Sequence, residues 1–391
     1  MSSQQESSPY QHLGMEEEQG GIESNQVEDR DLVSSEQSDD GSDYDEMEAL
    51  RERLRTCRFS HSKRRVIQQP ALLEKITVGL MVPFVHHLTD KKAGLLVRIK
   101  IFVSALFLVP FRLLGLFIGM TYIPIWQLIL SIGAKKPHHG NIGVKRQRLC
   151  DLNMIVTGYG ALFFTGLIPK VIRHDGATVK REDAVIVSNH MSWVDPLIHA
   201  ALFRPSFAAT VGITRIPTFI FCSIVQTVLL HRGTAGTETV ATSISARDNN
   251  PAMPPLVIFP EGTTTNGLGL IPFKPGAFIA GVPVNPVVIR YPNAASVAWD
   301  TCSLSYAVLR TVTQLINRAE VHILPRYVPT EEEKADPLLY ADNVRRYMAR
   351  KTGLELFDAR IRHKHVYEGW KNRGRPGGFE ELKSRLAQVK V

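Results

Sequence analysis

Cysteine is scarce in this chain, with four among 391 residues, at positions 57, 150, 222 and 302. Their separations match neither metal-ligand spacing nor a disulfide framework, so no metal is expected and the folded part is expected to face a reducing, cytosolic environment. Ser192 sits in no Gly-x-Ser-x-Gly elbow, and Cys222 and Cys302 lack the local signatures of nucleophilic cysteines, which disfavours covalent catalysis. Internal repeats and a secretory signal peptide are also missing. Asp39-Asp40-Gly41-Ser42-Asp43-Tyr44-Asp45 has the composition of a calcium loop, but its glycine falls too early.

Large apolar residues are few in residues 1–50, which hold 15 acidic residues against one arginine. Such a segment cannot bury enough surface to offset the entropy of ordering, and a disordered tail is expected. Its Ser34-Ser35-Glu36, Ser38-Asp39-Asp40 and Ser42-Asp43 stretches have the pattern of acidic phosphorylation sites, common by chance in a solvating tail. Residues 51–391 carry a net charge of +22. A basic surface suits anionic membranes, anionic substrates or nucleic acid. No helix-turn-helix, RNA-binding or zinc-finger pattern accompanies it, so nucleic acid is set aside as a partner.

Seven Lys or Arg residues lie between Arg51 and Arg65, and from Val97 to Gly133 the chain is largely apolar. That region is longer than the roughly 20 residues of a spanning helix, but Arg98, Lys100, Arg112, Pro110 and Pro124 interrupt it. Lys135, Lys136, Lys145, Arg146 and Arg148 follow. Positive charge on both flanks favours a membrane-embedded helical hairpin that enters and leaves on the cytosolic side. Leu152–Ile168 reads equally as a re-entrant or interfacial segment and as a core helix.

Beyond Asp175, short apolar runs alternate with helix-length segments: Ala184–Val187, Phe207–Val211, Val225–Leu230, Leu256–Phe259, Val284–Arg290 and Glu320–Leu324. This pattern predicts an α/β fold, with a largely buried sheet flanked by helices. Residues 330–350 read as an amphipathic helix with an acidic start, and the tail from Arg360 is basic. The expected divisions are 1–66, acidic tail and basic segment; 67–174, membrane-associated helices; 175–330, catalytic domain; and 331–391, a helical and basic extension.

Two of the apolar runs end in polar turns. Val185-Ile186-Val187 stops at Ser188-Asn189-His190, with Asp195-Pro196 just beyond, and Leu256-Val257-Ile258-Phe259-Pro260 runs into Glu261-Gly262-Thr263-Thr264-Thr265-Asn266-Gly267. A histidine and a carboxylate at the mouth of a sheet offer a general base and a group to fix its tautomer. On one continuous helix His190 and Asp195 would point about 140° apart, so the pair requires His190 to lie in a strand-to-helix turn. Ser192-Trp193-Val194-Asp195 also fits a helix capping box, and taken alone the His-x4-Asp spacing favours that structural reading.

Asn189-His190 with Asp195, Phe259-Pro260-Glu261-Gly262-Thr263, and Val282-Pro283-Val284-Asn285-Pro286-Val287 resemble, in order and spacing, the first, third and fourth motifs of the glycerolipid acyltransferase family. The resemblance covers about residues 95–350. Glu261–Gly267, Phe273-Lys274, Gly276-Ala277-Phe278 and Ser296-Val297-Ala298-Trp299-Asp300-Thr301 are most similar to the lysophosphatidylcholine and lysophosphatidylethanolamine acyltransferases. The second motif departs from the pattern. Arg215-Ile216-Pro217 matches its start, Ile220 and Phe221 stand where a glycine is expected, and Arg232 matches the closing arginine with an offset of one residue.

The resemblance implies an endoplasmic reticulum membrane enzyme with its catalytic domain in the cytosol, transferring an acyl group from acyl-CoA to the free hydroxyl of a lysophospholipid. Acyl-CoA is a co-substrate and no cofactor is implied. His190 is the implied base and Asp195 its partner. Glu261 organises its loop and a basic partner, the Gly262 and Thr263 N–H groups face the ligand, and Arg232 and Arg215 hold the phosphate. Pro283 and Pro286 shape the acyl channel. A lysophosphatidate or glycerol-3-phosphate acyltransferase would use the same residues. A lipid sensor or scaffold without turnover is a third reading, disfavoured because every residue the chemistry needs is present.

Overall fold

The computed structural model describes residues 103–131, 144–210, 228–230, 234–250, 253–292, 297–299, 301–373 and 378–387. The acidic tail, the basic stretch 51–65, Arg215, Arg232 and Asp300 lie outside the described residues.

Val185-Ile186-Val187 is buried throughout. Val185 and Val187 join one core cluster and Ile186 the other, which is the alternation of a strand whose two faces are both covered. The strands are β1 (Leu167–Arg173), β2 (Val185–Ser188), β3 (Ser206–Thr210), β4 (Val228–Leu230), β5 (Leu256–Ile258), β6 (Gly269–Leu270), β7 (Val284–Arg290), β8 (Asn317–Ile323) and β9 (Glu355–Leu356). Seven of them form one sheet in the order β1-β8-β7-β2-β5-β3-β4, and β6 pairs with β9. Neighbours in the large sheet are parallel except β7 and β8, where Val288 faces His322 in antiparallel register. The expected buried sheet flanked by helices is therefore present, and it is mixed.

The helices are α1 (Val109–Ser131), α2 (Val144–Thr165), α3 (Asp195–Phe203), α4 (Thr234–Ser245), α5 (Leu304–Val312), α6 (Glu331–Ala335), α7 (Pro337–Thr352), α8 (Ile361–Asn372) and α9 (Gly378–Ala387). Leu162 of α2 and Ile198 and Ala201 of α3 cover one sheet face with Ile186, Val257, Val287 and Val321. Val240 and Ile244 of α4, with Tyr340, Val344 and Met348 of α7, cover the other. Thr330 and Glu333 form a full capping box at the start of α6, and Asp336 caps α7. The C-terminal extension thus shares a core with the sheet.

The Leu152–Ile168 segment is divided. Helix α2 runs to Thr165, and Gly166, at φ 65°, turns the chain into a strand missing from the sequence reading. That strand, β1, contains Pro169 and lies at the sheet edge, where a missing N–H is tolerated.

Within the apolar region, Val109–Ser131 is one helix with no reversal. Its antiparallel partner is α2, since Phe111 near the start of α1 meets Phe163 and Phe164 at the end of α2, with ring centroids 6.4 and 5.6 Å apart. Among the described residues, no helix is long and apolar enough to cross a membrane. Arg112, only 5% exposed, leaves this apolar helix to bond carbonyls of another. Its guanidinium donates to the Val312 carbonyl at 2.9 Å, to Leu315 at 2.8 Å and to Gln314. These oxygens include the end of α5, where a helix has unsatisfied acceptors and negative dipole charge.

Candidate active site

Strands β5, β2 and β7 are adjacent and parallel, so their carboxyl ends share one edge of the sheet. Ligands of open α/β sheets bind at that edge. Ser188 pairs with Val287, and Val187 with Ile258. The residues just past these ends therefore converge: His190 after β2, Glu261 after β5 and Tyr291 after β7.

His190 lies in the turn between β2 and α3, as the pair with Asp195 requires. Its Nδ1 is 2.8 Å from Asp195 Oδ2; the histidine side chain is 20% exposed and the aspartate 0%. In the neutral imidazole a carboxylate acceptor places the proton on Nδ1 and leaves a lone pair on Nε2. Nε2 has no hydrogen-bond partner among the described residues. The imidazole stacks on Phe259, centroids 4.2 Å apart and planes 19° from parallel, which fixes the second face of the ring.

Asp195 also braces the turn, though not as a cap of α3. Its Oδ2 also accepts the N–H groups of Met191 at 2.7 Å and Ser192 at 2.8 Å. These belong to the turn, so Asp195 ties the turn together; the N-cap position is Val194, with no side-chain cap. Pro196 occupies the first turn of α3 without loss. The Tyr291 hydroxyl donates to Oδ1, and burial beside this carboxylate holds the phenol well above its ordinary pKa. The buried Asp195 carboxylate thus accepts from four donors.

Asn189 has a structural task that the sequence reading did not assign. Its amide donates to the Ile289 carbonyl at 2.9 Å and accepts the Ile289 N–H at 2.8 Å. The side chain thereby extends the β2–β7 ladder past Ser188 and sets where His190 begins its turn.

Glu261 is buried, and its carboxylate accepts the His190 N–H at 2.9 Å and the Ile271 N–H at 3.4 Å. Burial pushes this carboxyl up to about 8. Arg345 contributes only at a distance, so the basic partner expected for Glu261 is replaced by backbone N–H groups. Thr265 N–H donates to the His190 carbonyl at 2.9 Å, so this loop grips both backbone groups of the histidine. The expectation that the Gly262 N–H faces a ligand is corrected, because it donates to Phe259 O at 3.1 Å in a turn with φ 68° at Gly262. Thr263 is half-buried beside it.

Two further residues escaped the sequence reading. Tyr291 lies beyond the Val282–Val287 motif, and only the convergence of β2 and β7 brings it to Asp195. Lys364, 101 residues past Thr263, donates to Thr263 Oγ1 at 3.2 Å and to Thr264 O and Oγ1 at 3.0 Å. Pro286 lies within β7, and Pro283 just precedes it. Arg215 and Arg232 lie outside the described residues.

The Acyltransferase family matches residues 170–290, which contain β2, the turn and the Glu261 loop. The lysophospholipid acyltransferase LPEAT1 of Arabidopsis thaliana is 41% identical over 48% of this chain and 49% of its own length. The lysophosphatidylcholine acyltransferase of Drosophila melanogaster is 31% identical over 71% and 53%, and lysophosphatidylcholine acyltransferase 1 of Danio rerio 33% over 71% and 54%. The chain spans about half the length of these curated relatives. The solved 1-acyl-sn-glycerophosphate (LPA) acyltransferase, PlsC, from Thermotoga maritima superposes with a TM-score of 0.47 at 16% identity, covering 64% of this chain and 98% of that one. Residues 170–290, the stretch that builds the His190–Asp195 pair and its bracing loop, therefore belong to the Acyltransferase family.

Proposed function

We propose that the protein transfers a fatty acyl group from acyl-CoA to the free hydroxyl of a lysophospholipid, lysophosphatidylcholine or lysophosphatidylethanolamine. The observation that carries this reading is the His190 Nδ1–Asp195 contact at 2.8 Å, which leaves Nε2 as a base at the sheet edge. Names of relatives such as the Drosophila melanogaster enzyme support the acceptor class.

In the proposed reaction, Nε2 takes the hydroxyl proton as the alcohol oxygen attacks the thioester carbonyl. The tetrahedral intermediate expels the CoA thiolate, which accepts that proton from the imidazolium. Asp195 stabilises the imidazolium while it lasts. No protein nucleophile is needed, because the thioester is already activated. The Ser192 hydroxyl is bonded to the Val297 carbonyl, consistent with a structural part for it. Thr263 belongs with the acceptor side of the site. Arg215 and Arg232 stay candidates for the phosphate.

We further propose that α1 and α2 seat the protein on the cytosolic face of the endoplasmic reticulum membrane. Phe107, Phe117 and Phe163 are 65–70% exposed, a poor arrangement in water and a favourable one among acyl chains. The decisive assay gives membranes bearing the protein oleoyl-CoA together with lysophosphatidylcholine, lysophosphatidylethanolamine, lysophosphatidate or glycerol-3-phosphate. Transfer to the first two is expected, with a loss of roughly 10²–10⁴-fold in His190→Ala. Undiminished transfer by His190→Ala would refute the mechanism, and activity confined to the last two acceptors would refute the substrate class.

A further inference from the structure

The loop that grips His190 carries one acidic residue, Glu261, and its carboxylate is turned inward to the His190 and Ile271 N–H groups. Nothing negative is left on the outer side of that loop, where Gly262 is exposed. The Lys274 side chain runs over this glycine, and a Cβ at residue 262 would collide with its Nζ and Cε. Lys274 is anchored through its own backbone, whose N–H donates to Pro260 O at 2.8 Å, and Pro275 follows it into a short 3₁₀ turn. Its ammonium has no carboxylate within ion-pairing distance among the described residues.

A second lysine reaches the same loop from the protein interior. Lys364 of α8, 6% exposed, directs its ammonium to Thr263 Oγ1, Thr264 Oγ1 and Thr264 O. Along three consecutive residues, Gly262 thus meets an exposed ammonium, and Thr263 and Thr264 a buried one, next to Thr265, which is bonded to the His190 carbonyl. A buried cation is costly to desolvate, and its positive potential adds to that of Lys274 at this spot. That arrangement suits an anion.

We infer that Lys274 is the cation that selects a phosphate-bearing substrate at this site, with Lys364 as the residue that positions the Gly262–Thr264 loop beneath it. The inference rests on the acyl-transfer reading above. In a lysophospholipid the phosphate is only a few bonds from the acylated hydroxyl, so a phosphate seat must adjoin the base, as this loop adjoins His190. CoA also carries phosphates, and the lysolipid is chosen here because the loop is bonded directly to the residue that meets the hydroxyl. Lys274 thus joins Arg215 and Arg232, which the sequence had suggested for the phosphate.

The test is Lys274→Gln in the full chain, in membranes, with each substrate varied in turn. The expected result is a KM for lysophosphatidylcholine raised about 10-fold or more with little change in kcat, because a phosphate contact exists in both ground and transition states. Transfer to a monoacylglycerol, which lacks phosphate, should fall far less, and the KM for acyl-CoA should be unchanged. Lys364→Met should lower kcat as well, through a displaced loop, with partial rescue by Lys364→Arg. An unchanged lysolipid KM in Lys274→Gln overturns the inference. So does a raised KM for acyl-CoA without one for the phosphate-free acyl-pantetheine, which would assign the seat to CoA. Thermal stabilisation by glycerol-3-phosphate, lost in Lys274→Gln, gives a readout independent of turnover. If the wild type bound that anion through Lys274 yet transferred no acyl group, the proposed reaction would fail and the seat would stand.

Discussion

At the scale of single residues, the site is a set of buried hydrogen bonds converging on Asp195 and on the backbone of His190. Tyr291 is the donor to Asp195 furthest from it in sequence, and Tyr291→Phe would leave Oδ1 without it. Losing a buried hydrogen bond to a charged group should cost about 2 kcal/mol of stability. If Asp195 also drifts, kcat should fall by up to about tenfold while both KM values hold; full activity and stability would show that the Oδ2 donors suffice. Glu261 makes a separate prediction about pH. Its carboxyl is raised by burial from 4.5 to about 8, so it favours the folded state fully below about pH 4.5 and that contribution is lost as the pH rises through about 8. Glu261→Gln cannot titrate. Denaturation at a series of pH values should therefore show the wild type losing stability relative to Glu261→Gln between about pH 5 and 8. A constant difference would mean that Glu261 is ionised throughout.

At the scale of elements, Arg112 ties α1 to the end of α5. The Val312 carbonyl at the end of α5 and the Gln314 and Leu315 carbonyls just past it share one guanidinium, and the fork geometry of arginine suits that task where an ammonium would not. Arg112→Met should cost about 2 kcal/mol and increase proteolysis around residues 312–316, with Arg112→Lys recovering only part of it. Unchanged protease resistance would show that aromatic packing at Phe111, Phe163 and Phe164 holds α1 by itself. The sequence reading treated Arg112 as an interruption of an apolar stretch. Its partners are about 200 residues away, and nothing in the local pattern points to them.

At the scale of the whole molecule, a net charge of +22 over residues 51–391 coexists with wide apolar faces on α1 and α2. Surfaces of that pair hold a protein on an anionic bilayer by two independent attractions. The wild type should resist carbonate extraction, which removes proteins held by charge alone. Phe117→Asp with Ile118→Asp, both on exposed positions, should release part of it and leave the fold intact. Extraction of the wild type by carbonate would refute apolar seating.

The sequence by itself determined the α/β class, most of the strands of the large sheet, and the pairing of His190 with Asp195 in the turn after one of them. Those features are written locally, as short apolar runs that end at polar turns, and Val284–Arg290 is matched at both ends. The turn placement of His190 followed from helix geometry alone. Tertiary structure decided what lies across those turns. Glu261 meets a backbone N–H where a basic side chain was expected, because β5 and β2 are neighbours and their ends share one edge. Tyr291, Lys274 and Lys364 join the site through strand order and through packing of the C-terminal helices, which involve contacts between residues far apart in the chain. Local periodicity reports which face of an element is buried and carries no record of which element covers it.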